Sequence, residues 1–369
     1  MSTIEYIGLD IHRKSVSYCR KRADGEVIAE GRVAARADAL RQWAAGLPSG
    51  WKGAMEATIF TGWIYDVLQP YAVELLVGHP LRMEAVTKAK KKSDRGSAST
   101  ICDLLRANLL PVCTMLPPEL RELRQAPRFR NKLVREAVRM HNHCAGLLMM
   151  NGVPYKRVKL HRKHYFTSLL EALAEPTPGE DAGGGRAEDV ADSLEPWGRL
   201  DHVPEAVRGM LAMGRASYEF FEQAQKKLLA GLATHPRISG RVERLKTIPG
   251  VGDVTALSWV LEIGPVERFA SIGKAWSYCG LTAGQSESGE SAKRLPLSKL
   301  RNGHLQTVLI EAAKLAPRWN PLLAEVSERE KERGHKNRAT IAVARKLVAY
   351  LMAVDKREQP FQLEVAKLH

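Results

Sequence analysis

The chain has 369 residues, 44% of them hydrophobic and 26% charged, which is typical of a soluble globular protein with two or three domains. No apolar run has the length of a membrane span, the start lacks a signal-peptide pattern, and the five cysteines form no CxxC pair. We therefore expect a cytoplasmic protein with reduced thiols rather than a membrane protein or a disulfide-rich secreted one. The net charge of +15 at pH 7 predicts a polyanionic partner such as nucleic acid.

Strand and helix patterns alternate over the first hundred residues. Hydrophobic periodicity and turn residues predict strands at 6–10, 15–20, 26–34, 52–58 and 73–78, and helices at 37–45, 61–68 and 99–109. Three strands joined as hairpins, then a helix, a strand, a helix and a strand, form the order of an RNase H-like α/β domain. We assign this domain to residues 1–115.

The middle of the chain, residues 116–238, predicts a helical arm with coiled-coil character. Basic residues recur there at three- and four-residue steps, at Arg121, Arg124, Arg128, Lys132, Arg135 and Arg139. Such a stripe is either a solvated face or a surface that follows a nucleic-acid backbone, and the overall charge favours the second. We expect Pro127 to break or kink this helix. The Pro-, Gly- and acid-rich stretch 175–189 predicts a flexible linker.

The last part, residues 239–369, is predicted to be mainly helical. Residues 245–256 (LKTIPGVGDVTA) have the pattern of a helix-hairpin-helix, in which Gly250 and Gly252 let backbone N–H groups approach a phosphate. The alternative is an ordinary helix corner with a glycine cap. The stretch 283–291 (AGQSESGES) predicts a polar loop.

Three basic clusters, at 88–92, 156–164 and 333–338, suggest phosphate contacts. The second is flanked by Tyr155, Tyr165 and Phe166, which would suit base stacking. The residues predicted to bind nucleic acid are Lys90, Lys91, Lys92, Arg128, Lys132, Arg135, Lys156, Arg157, Arg162, Lys163, Gly250, Gly252, Lys293, Arg294 and Lys299.

Three acids fall at the ends of predicted elements. Asp10 ends the first strand, Glu56 lies near the end of the fourth, and Asp94 precedes a helix. In an RNase H-like sheet the first and fourth strands are neighbours, so both acids would point into one pocket. Clustered carboxylates repel each other unless a divalent cation neutralises them, and oxygen ligands suit Mg²⁺. Each acid alone would be an ordinary strand-end residue, whereas the set predicts a metal site.

Five ordered motifs resemble those of a known family. GLDIHRKSV, MEATIFTGW, KKSDRGSASTICDLLR, LKTIPGVGDVTALS and GLTAGQSESGES are similar to the motifs of DEDD-type insertion-sequence transposases, the bridge-RNA-guided family numbered one hundred and ten. The resemblance implies a RuvC-like N-terminal domain, a coiled-coil arm and a C-terminal transposase domain with a catalytic serine. It also implies Mg²⁺, double-stranded donor and target DNA, a guide RNA, a homo-oligomer (dimer or tetramer) and a place at the prokaryotic nucleoid.

Carried over by position, the resemblance assigns the family's first three acids to Asp10, Glu56 and Asp94, and its serine nucleophile to Ser288. The fourth acid falls on Ser97, which departs from the family pattern and predicts a weaker metal site. The next acid, Asp103, lies nine residues beyond Asp94 and so on the opposite helix face. Without the resemblance, Ser288 would be an ordinary loop serine.

Three functions remain open at this stage. The first is a transposase that cuts and rejoins DNA through a serine-linked intermediate. The second is a metal-dependent nuclease or junction resolvase, in which the carboxylates act alone. The third is an inactive nucleic-acid-binding remnant that has lost its fourth ligand at Ser97.

Overall fold

The computed structural model describes residues 4–86, 94–174, 203–288 and 291–362. For residues 84–86, 94–96, 174, 285–288 and 291–295 it describes the backbone alone. The chain forms two compact units, Met1–Glu122 and Leu123–His369. The predicted linker 175–189 and the lysines at 90–92 lie outside the described residues, and the division into three parts stays a prediction.

Unit 1 is a mixed α/β structure built on a six-stranded sheet. Its strands are β1 (Tyr6–Ile11), β2 (Ser15–Lys21), β3 (Val27–Ala34), β4 (Lys52–Glu56), β5 (Glu74–Gly78) and β6 (Val112–Cys113), in the order β3-β2-β1-β4-β5-β6. β1, β4 and β5 are parallel, and the other pairings are antiparallel. The five longer strands match the predicted ones within two residues at each end. β6 was not predicted, since two residues carry no periodic signal.

Helices cover both faces of this sheet. They are α1 (Ala37–Ala45), α2 (Thr61–Leu68), α3 (Pro80–Val86) and α4 (Asp94–Arg106). Ile7, Leu9 and Met55 belong to the core with Leu40 of α1 and Ile64 of α2. Tyr6, Ala54 and Leu76 face the other way, against Ile101 and Leu105 of α4 and Met83 of α3. Because side chains alternate along a strand, these two sets define the two faces of the sheet.

A long helix, α5 (Pro118–Met150), begins in unit 1 and continues into unit 2. Pro127 was expected to break or kink it; the break does not occur, since the helix runs without interruption through Pro127, and the kink stays a prediction. Proline removes one backbone donor and crowds the preceding turn, at a cost of ~3 kcal/mol in a helix interior. Side-chain contacts on both sides of the proline, described below, offset this cost.

Unit 2 is mainly helical. It continues with α6 (Lys163–Ala174), α7 (Glu205–Ala233), α8 (Ser239–Lys246), α9 (Asp253–Ile263), α10 (Ile272–Tyr278), α11 (Gly303–Leu315), α12 (Pro321–Glu332) and α13 (Lys336–Arg357). The side chains of α9 from Thr255 to Ile263 are all buried, so this helix is central to the unit. Asn302 and Asn320 begin α11 and α12, and their side chains accept hydrogen bonds from the backbone amides of Leu305 and Leu323.

The predicted polar loop 283–291 forms a β-hairpin instead, of β7 (Ala283–Ser288) and β8 (Ser291–Leu297). Its serine, glutamate and glycine residues are typical of loops, and only the pairing with the following segment makes them strands. Over the residues that the structure describes, no helix combines the length and apolar character needed to cross a membrane.

Candidate active site and nucleic-acid surfaces

Asp10 and Glu56 lie side by side at one edge of the sheet. β1 and β4 are parallel, with Leu9 opposite Met55, so the residues that follow them are at the same level on neighbouring strands. Both acids lie on the face that α4 covers, since each is two residues beyond a residue of that face, Gly8 or Ala54. Both are half-buried. The register therefore places two predicted carboxylates on a common face.

Helix α4 lies directly against β1 at Gly8. A Cβ at Gly8 would stand 2.0 Å from the carbonyl oxygen of Ala98 and 2.5 Å from the backbone nitrogen of Cys102. Further along, the Cys102 thiol donates to the carbonyl of Tyr6 at 3.2 Å. The helix thus runs antiparallel to β1, and its first residue, Asp94, begins one turn before Ala98, toward the Asp10 end of the strand. The side chain of Asp94 lies outside the described part.

Local contacts surround the two described acids. The Thr61 hydroxyl donates to the carbonyl of Glu56 at 3.0 Å and accepts from the amide of Thr58 at 2.7 Å, which closes the turn after β4. Just after β1, His12 Nε2 stands 3.4 Å from Asp10 Oδ2. Neither Thr61 nor His12 was singled out from the sequence. The motifs containing them, GLDIHRKSV and MEATIFTGW, were the available signal.

The other polar groups of α4 differ in position. Ser97 is half-buried, three residues after Asp94. The Asp103 carboxylate accepts a hydrogen bond from Lys21 Nζ at 2.6 Å. Lys21 lies opposite Tyr6 in the sheet, so Asp103 is at the other end of β1 from Asp10. Among the described side chains no group of three potential metal ligands occurs. Two carboxylates on one face, beside the helix that begins at Asp94, fit the oxygen ligands of a divalent cation.

In unit 2, Ser288 lies at the tip of the β7–β8 hairpin. It is the last residue of β7 and pairs with Ser291, the first of β8. Lys293 and Arg294 lie on β8 opposite Ser286 and Gln285. The side chains of these six residues lie outside the described part, so the structure places their backbone only. Lys299, just beyond β8, is exposed.

The base of this hairpin is tied down by several hydrogen bonds. The Ser298 amide donates to the carbonyl of Thr282 at 3.1 Å, and the Asn302 amide to that of Tyr278 at 2.9 Å. Gln306 Nε2 donates to the carbonyl of Gly280 at 2.6 Å, and Arg345 Nε to that of Leu281 at 2.8 Å. Hydrogen bonds from residues of or next to α10, α11 and α13 therefore fix the segments that lead into β7 and out of β8.

A buried glutamate connects this base to α5. Glu262 has a fully buried side chain that accepts from Arg124 Nε at 2.6 Å, from Arg128 Nε at 2.7 Å and from Asn302 Nδ2 at 2.7 Å. The Tyr278 hydroxyl donates to its carbonyl at 2.9 Å. Burial alone would raise the pKa of Glu262, but the hydrogen bond from Arg128 and the charge of Arg124 outweigh it and lower the pKa to about 2. Glu262 is thus a buried anion, and sequence reasoning missed it because a single acid in an apolar helix carries no motif.

The basic residues of α5 separate into two groups. Arg124 and Arg128 bind Glu262 on either side of Pro127, which explains how the helix continues through the proline. The guanidinium of Arg128 is therefore paired with Glu262 within unit 2, and the phosphate contact expected of it stays a prediction. Lys132 and Arg135 are exposed and keep the character that was expected of them.

The second basic cluster is mostly exposed. Arg157, Arg162 and Lys163 are exposed, and Lys156 is half-buried with its amide donating to the hydroxyl of Tyr165 at 2.7 Å. Phe166, however, is buried in the core of α5, α6 and α7, and Tyr155 and Tyr165 pack against that core. The suggestion that these aromatics stack on bases is therefore wrong for Phe166, because its ring is already used in folding.

The turn between α8 and α9 contains both predicted glycines. Gly250 has φ of 93°, and a Cβ there would stand 2.7 Å from the Cβ of Ala316, so this glycine is required by the turn and by packing. Gly252 precedes α9 and has no atom within 4 Å of an added Cβ. Of the two, only Gly252 lies open in the described structure, at a helix N-terminus.

A sheet with two acids at the ends of neighbouring strands, joined in one basic chain to a helical unit, fits the class of DNA-processing enzymes that use a carboxylate site. Residues 7–150 match the IS110-type DEDD transposase family, and residues 242–328 match the "Transposase IS116/IS110/IS902 family". The matched residues make up more than half of the chain, which belongs to the IS110 family of transposases and is a DNA transposase.

Individual relatives agree with this assignment. The transposase for insertion sequence element IS1111A of Coxiella burnetii is 24% identical over 98% of this chain and 92% of its own length. The transposase y4rJ of Sinorhizobium fredii is 28% identical over 80% of this chain and 72% of its own length. A family 20 transposase of Pseudomonas aeruginosa is 22% identical over 76% of this chain. The DEDD family implies a divalent metal, and transposase activity implies DNA binding.

Proposed function

We propose that the chain cuts and rejoins DNA with two chemical groups, an RNase H/RuvC-like carboxylate site formed by Asp10, Glu56 and Asp94, and the nucleophilic serine Ser288. One observation carries the first part: Asp10 and Glu56 are at the same level on adjacent parallel strands, beneath the helix that begins at Asp94. β1 and β4 are neighbours in the sheet, as was expected of an RNase H-like domain, and this supports the same proposal.

The carboxylates are the residues that would hold Mg²⁺, with Ser97 in place of a fourth acid. A bound divalent cation supplies charge neutralisation and polarises a phosphate oxygen. His12 lies beside the Asp10 carboxylate, and Thr61 bonds the backbone of Glu56. Ser97 has no charge, so we expect weaker metal affinity than an aspartate would provide.

Ser288 would attack a phosphodiester through its hydroxyl oxygen. The new bond joins this oxygen to phosphorus, the bond from phosphorus to the leaving strand breaks, and the leaving oxygen takes up a proton. One ester bond replaces another, so the serine-linked end is still a phosphodiester, and attack by a free strand end reverses the step and rejoins the DNA. Lys293, Arg294 and Lys299 are the neighbouring cations proposed to hold the scissile phosphate.

We further propose that the α8–α9 turn acts as a helix-hairpin-helix. The open N-terminus of α9 at Gly252 supports a contact between backbone N–H groups and a phosphate there. Gly250 would contribute indirectly, because its positive φ forms the turn. The partners proposed are double-stranded donor and target DNA, a bridge-type guide RNA and further copies of the chain. The charge of +15 supports the nucleic-acid partners, and the resemblance to the family supports the RNA and the oligomer.

The test is a strand-transfer assay on DNA carrying the element ends, with denaturing gels that detect covalent protein–DNA adducts. We expect Ser288→Ala to abolish both strand transfer and adducts. Ser286→Ala, on the same strand of the hairpin, is the matched control and should retain both. Asp10→Asn should abolish cleavage while DNA binding persists. Adducts that survive in the Ser288→Ala variant would disprove the serine mechanism.

The second candidate is a metal-dependent nuclease or junction resolvase, favoured by the fact that the pairing of Asp10 with Glu56 does not involve Ser288. It predicts unchanged cleavage in Ser288→Ala and loss in Asp10→Asn. A third, the inactive remnant, rests on Ser97 and predicts that only Ser97→Asp restores activity to an inactive native chain. One set of variants thus separates all three.

A further inference from the structure

A groove of about 770 Å³ runs along α13 in unit 2, and no part of the proposed function uses it. It lies between α13, α10, α12 and residues 359–362 and is called the α13 groove below. Its floor consists of small side chains, Ala342, Ala349 and Ala353, which share one helix face because they are seven and four residues apart. The volume is within the range of small-ligand sites, about 300–1,000 Å³, and too small for a double helix.

The charged residues that line the groove are all basic. They are Arg329, Arg345, Lys346, Lys356 and Arg357, and no acid of the described residues lines it. Among the described residues none of the five forms an ion pair, since the nearby Glu328 and Glu330 bind Lys331, Arg333 and Arg338 instead. Arg345 and Lys356 donate only to backbone carbonyls, those of Leu281 and Phe269. The groove therefore has uncompensated positive charge, which suits a polyanion.

Aromatic rings also line the groove. Trp276 and Phe361 are half-buried, with the Arg345 guanidinium 5.8 Å from the Trp276 ring and the Phe361 ring 5.0 Å from that of Tyr350. The Tyr350 side chain is 4% exposed, and its hydroxyl has no hydrogen-bond partner among the described residues. A buried hydroxyl left unsatisfied is costly, so this donor is available to a ligand oxygen.

From these observations we propose that the α13 groove binds a short unpaired segment of a DNA strand, with phosphates on the cations and a base against Trp276 and Phe361. Cations and aromatic rings together decide the occupant, because each nucleotide brings both a negative phosphate and a base, whereas an acidic protein segment such as 175–189 of a second copy would bring charge alone. Aromatic and basic side chains together are the combination that binds unpaired strands. The inference rests on the DNA transposase activity but not on Ser288.

The experiment measures binding of a short fluorescent single-stranded DNA to the full chain by anisotropy, across a salt series. Lys346→Glu combined with Arg357→Glu should weaken binding by at least about tenfold and reduce its salt dependence. The matched control is Lys227→Glu with Lys274→Glu, which makes the same change in charge at exposed positions of unit 2 outside the groove. Phe361→Ala should also weaken binding about tenfold, and Phe361→Tyr should restore it.

Equal losses in the groove variant and the control would overturn the proposal. So would equal weakening of single-stranded and double-stranded DNA, loss confined to single-stranded RNA, or a changed sedimentation coefficient with unchanged DNA binding. Adduct formation by Ser288 is scored in the same preparations. Adducts report on the serine mechanism, and anisotropy reports on the groove. Loss of adducts in Ser288→Ala with unchanged anisotropy would therefore show that the two proposals stand or fail independently.

Discussion

At the scale of single residues, Gly8 shapes the site around Asp10 and Glu56, and Glu262 shapes the base of the β7–β8 hairpin. Gly8 has no side chain, and only for that reason can the backbone of α4 lie on β1 and bring the start of the helix to the Asp10 edge. Glu262 has the opposite character, because its charge is buried and must be neutralised by side chains from another helix. One residue acts through the space it leaves, the other through the partners it requires.

Replacing Gly8 with alanine should destabilise unit 1. The added Cβ would meet two backbone atoms of α4, at 2.0 Å and 2.5 Å, and backbone cannot move aside cheaply. We expect a loss of about 3 kcal/mol in the free energy of unfolding, the upper end of the range for overpacking. Chemical denaturation of the purified variant measures it.

Gly146→Ala is the control for Gly8→Ala. Gly146 lies inside α5, and nothing stands within 4 Å of an added Cβ, so alanine should stabilise the protein by about 0.5–1 kcal/mol. If Gly8→Ala were as stable as the native chain, α4 would not be docked on β1 in the way described.

Removing the charge of Glu262 should be more costly than removing an exposed one. Glu262→Gln leaves Arg124 and Arg128 without their anion, and we expect a loss of about 3 kcal/mol, the low end for a broken buried pair because both arginines are partly exposed. Glu243→Gln breaks the exposed pair with Lys246 and should cost less than ~1 kcal/mol. The two variants are compared by denaturation at pH 7, where similar losses would contradict the buried network.

At the scale of elements, three helices meet at His304 near the start of α11. His304 Nδ1 lies 3.0 Å from Asn131 Nδ2 of α5, and Nε2 lies 3.4 Å from the Ser258 hydroxyl of α9. Burial lowers the pKa of His304, and the charges of Arg124, Arg128 and Arg130 add to the effect while that of Glu262 opposes it. Neutral imidazole is therefore the form that fits between these helices.

This arrangement predicts a pH dependence of stability. An unfolded chain takes up the proton near the ordinary histidine pKa of about 6.5, and the folded chain takes it up only at lower pH. Stability should be full above that value and should fall as pH drops below it toward the lowered pKa. His304→Gln should flatten the curve of unfolding free energy against pH in this window. An unchanged slope in the variant would show that His304 is not the responsible group.

The carboxylate of Glu262 acts in a window that begins at a more acidic pH. Its pKa is lowered to about 2, so its contribution is present above the ordinary glutamate value of about 4.3 and is lost as pH falls from there toward the lowered pKa. The upper limits of the two windows differ, at about pH 6.5 for His304 and about pH 4.3 for Glu262. The His304→Gln variant should therefore change the curve of unfolding free energy against pH from about pH 6.5 downward, and the Glu262→Gln variant from about pH 4.3 downward.

At the scale of the whole molecule, the surplus of positive charge should appear as salt-dependent DNA binding. Lys132→Ala with Arg135→Ala removes two exposed cations of α5, and the slope of log affinity against log salt should fall by about 2. The measurement is duplex DNA binding by anisotropy over a range of salt concentrations.

Arg128→Ala, on the same helix, serves as the comparison for this pair. Its guanidinium is bonded to Glu262, so we expect lower stability with little change in the salt slope. A reduced slope in Arg128→Ala with normal stability would mean that Arg128 binds phosphate rather than Glu262.

Local pattern was sufficient for much of this molecule. Alternating hydrophobic residues indicated the five longer strands, helical spacing indicated the first two helices to the residue, and the motifs around Asp10, Glu56 and Ser288 indicated the family. These features depend on neighbours in sequence, where periodicity and turn chemistry act directly.

What only the tertiary structure decided depends on residues that are distant in sequence. The continuity of α5 through Pro127 and the pairing of Arg128 both follow from Glu262, more than 130 residues away. The burial of Phe166, the hairpin under Ser288 and the α13 groove likewise require partners that no local pattern shows. Packing assigns each side chain a neighbour, and that neighbour determines whether a charge or a ring is used in folding or remains available for DNA.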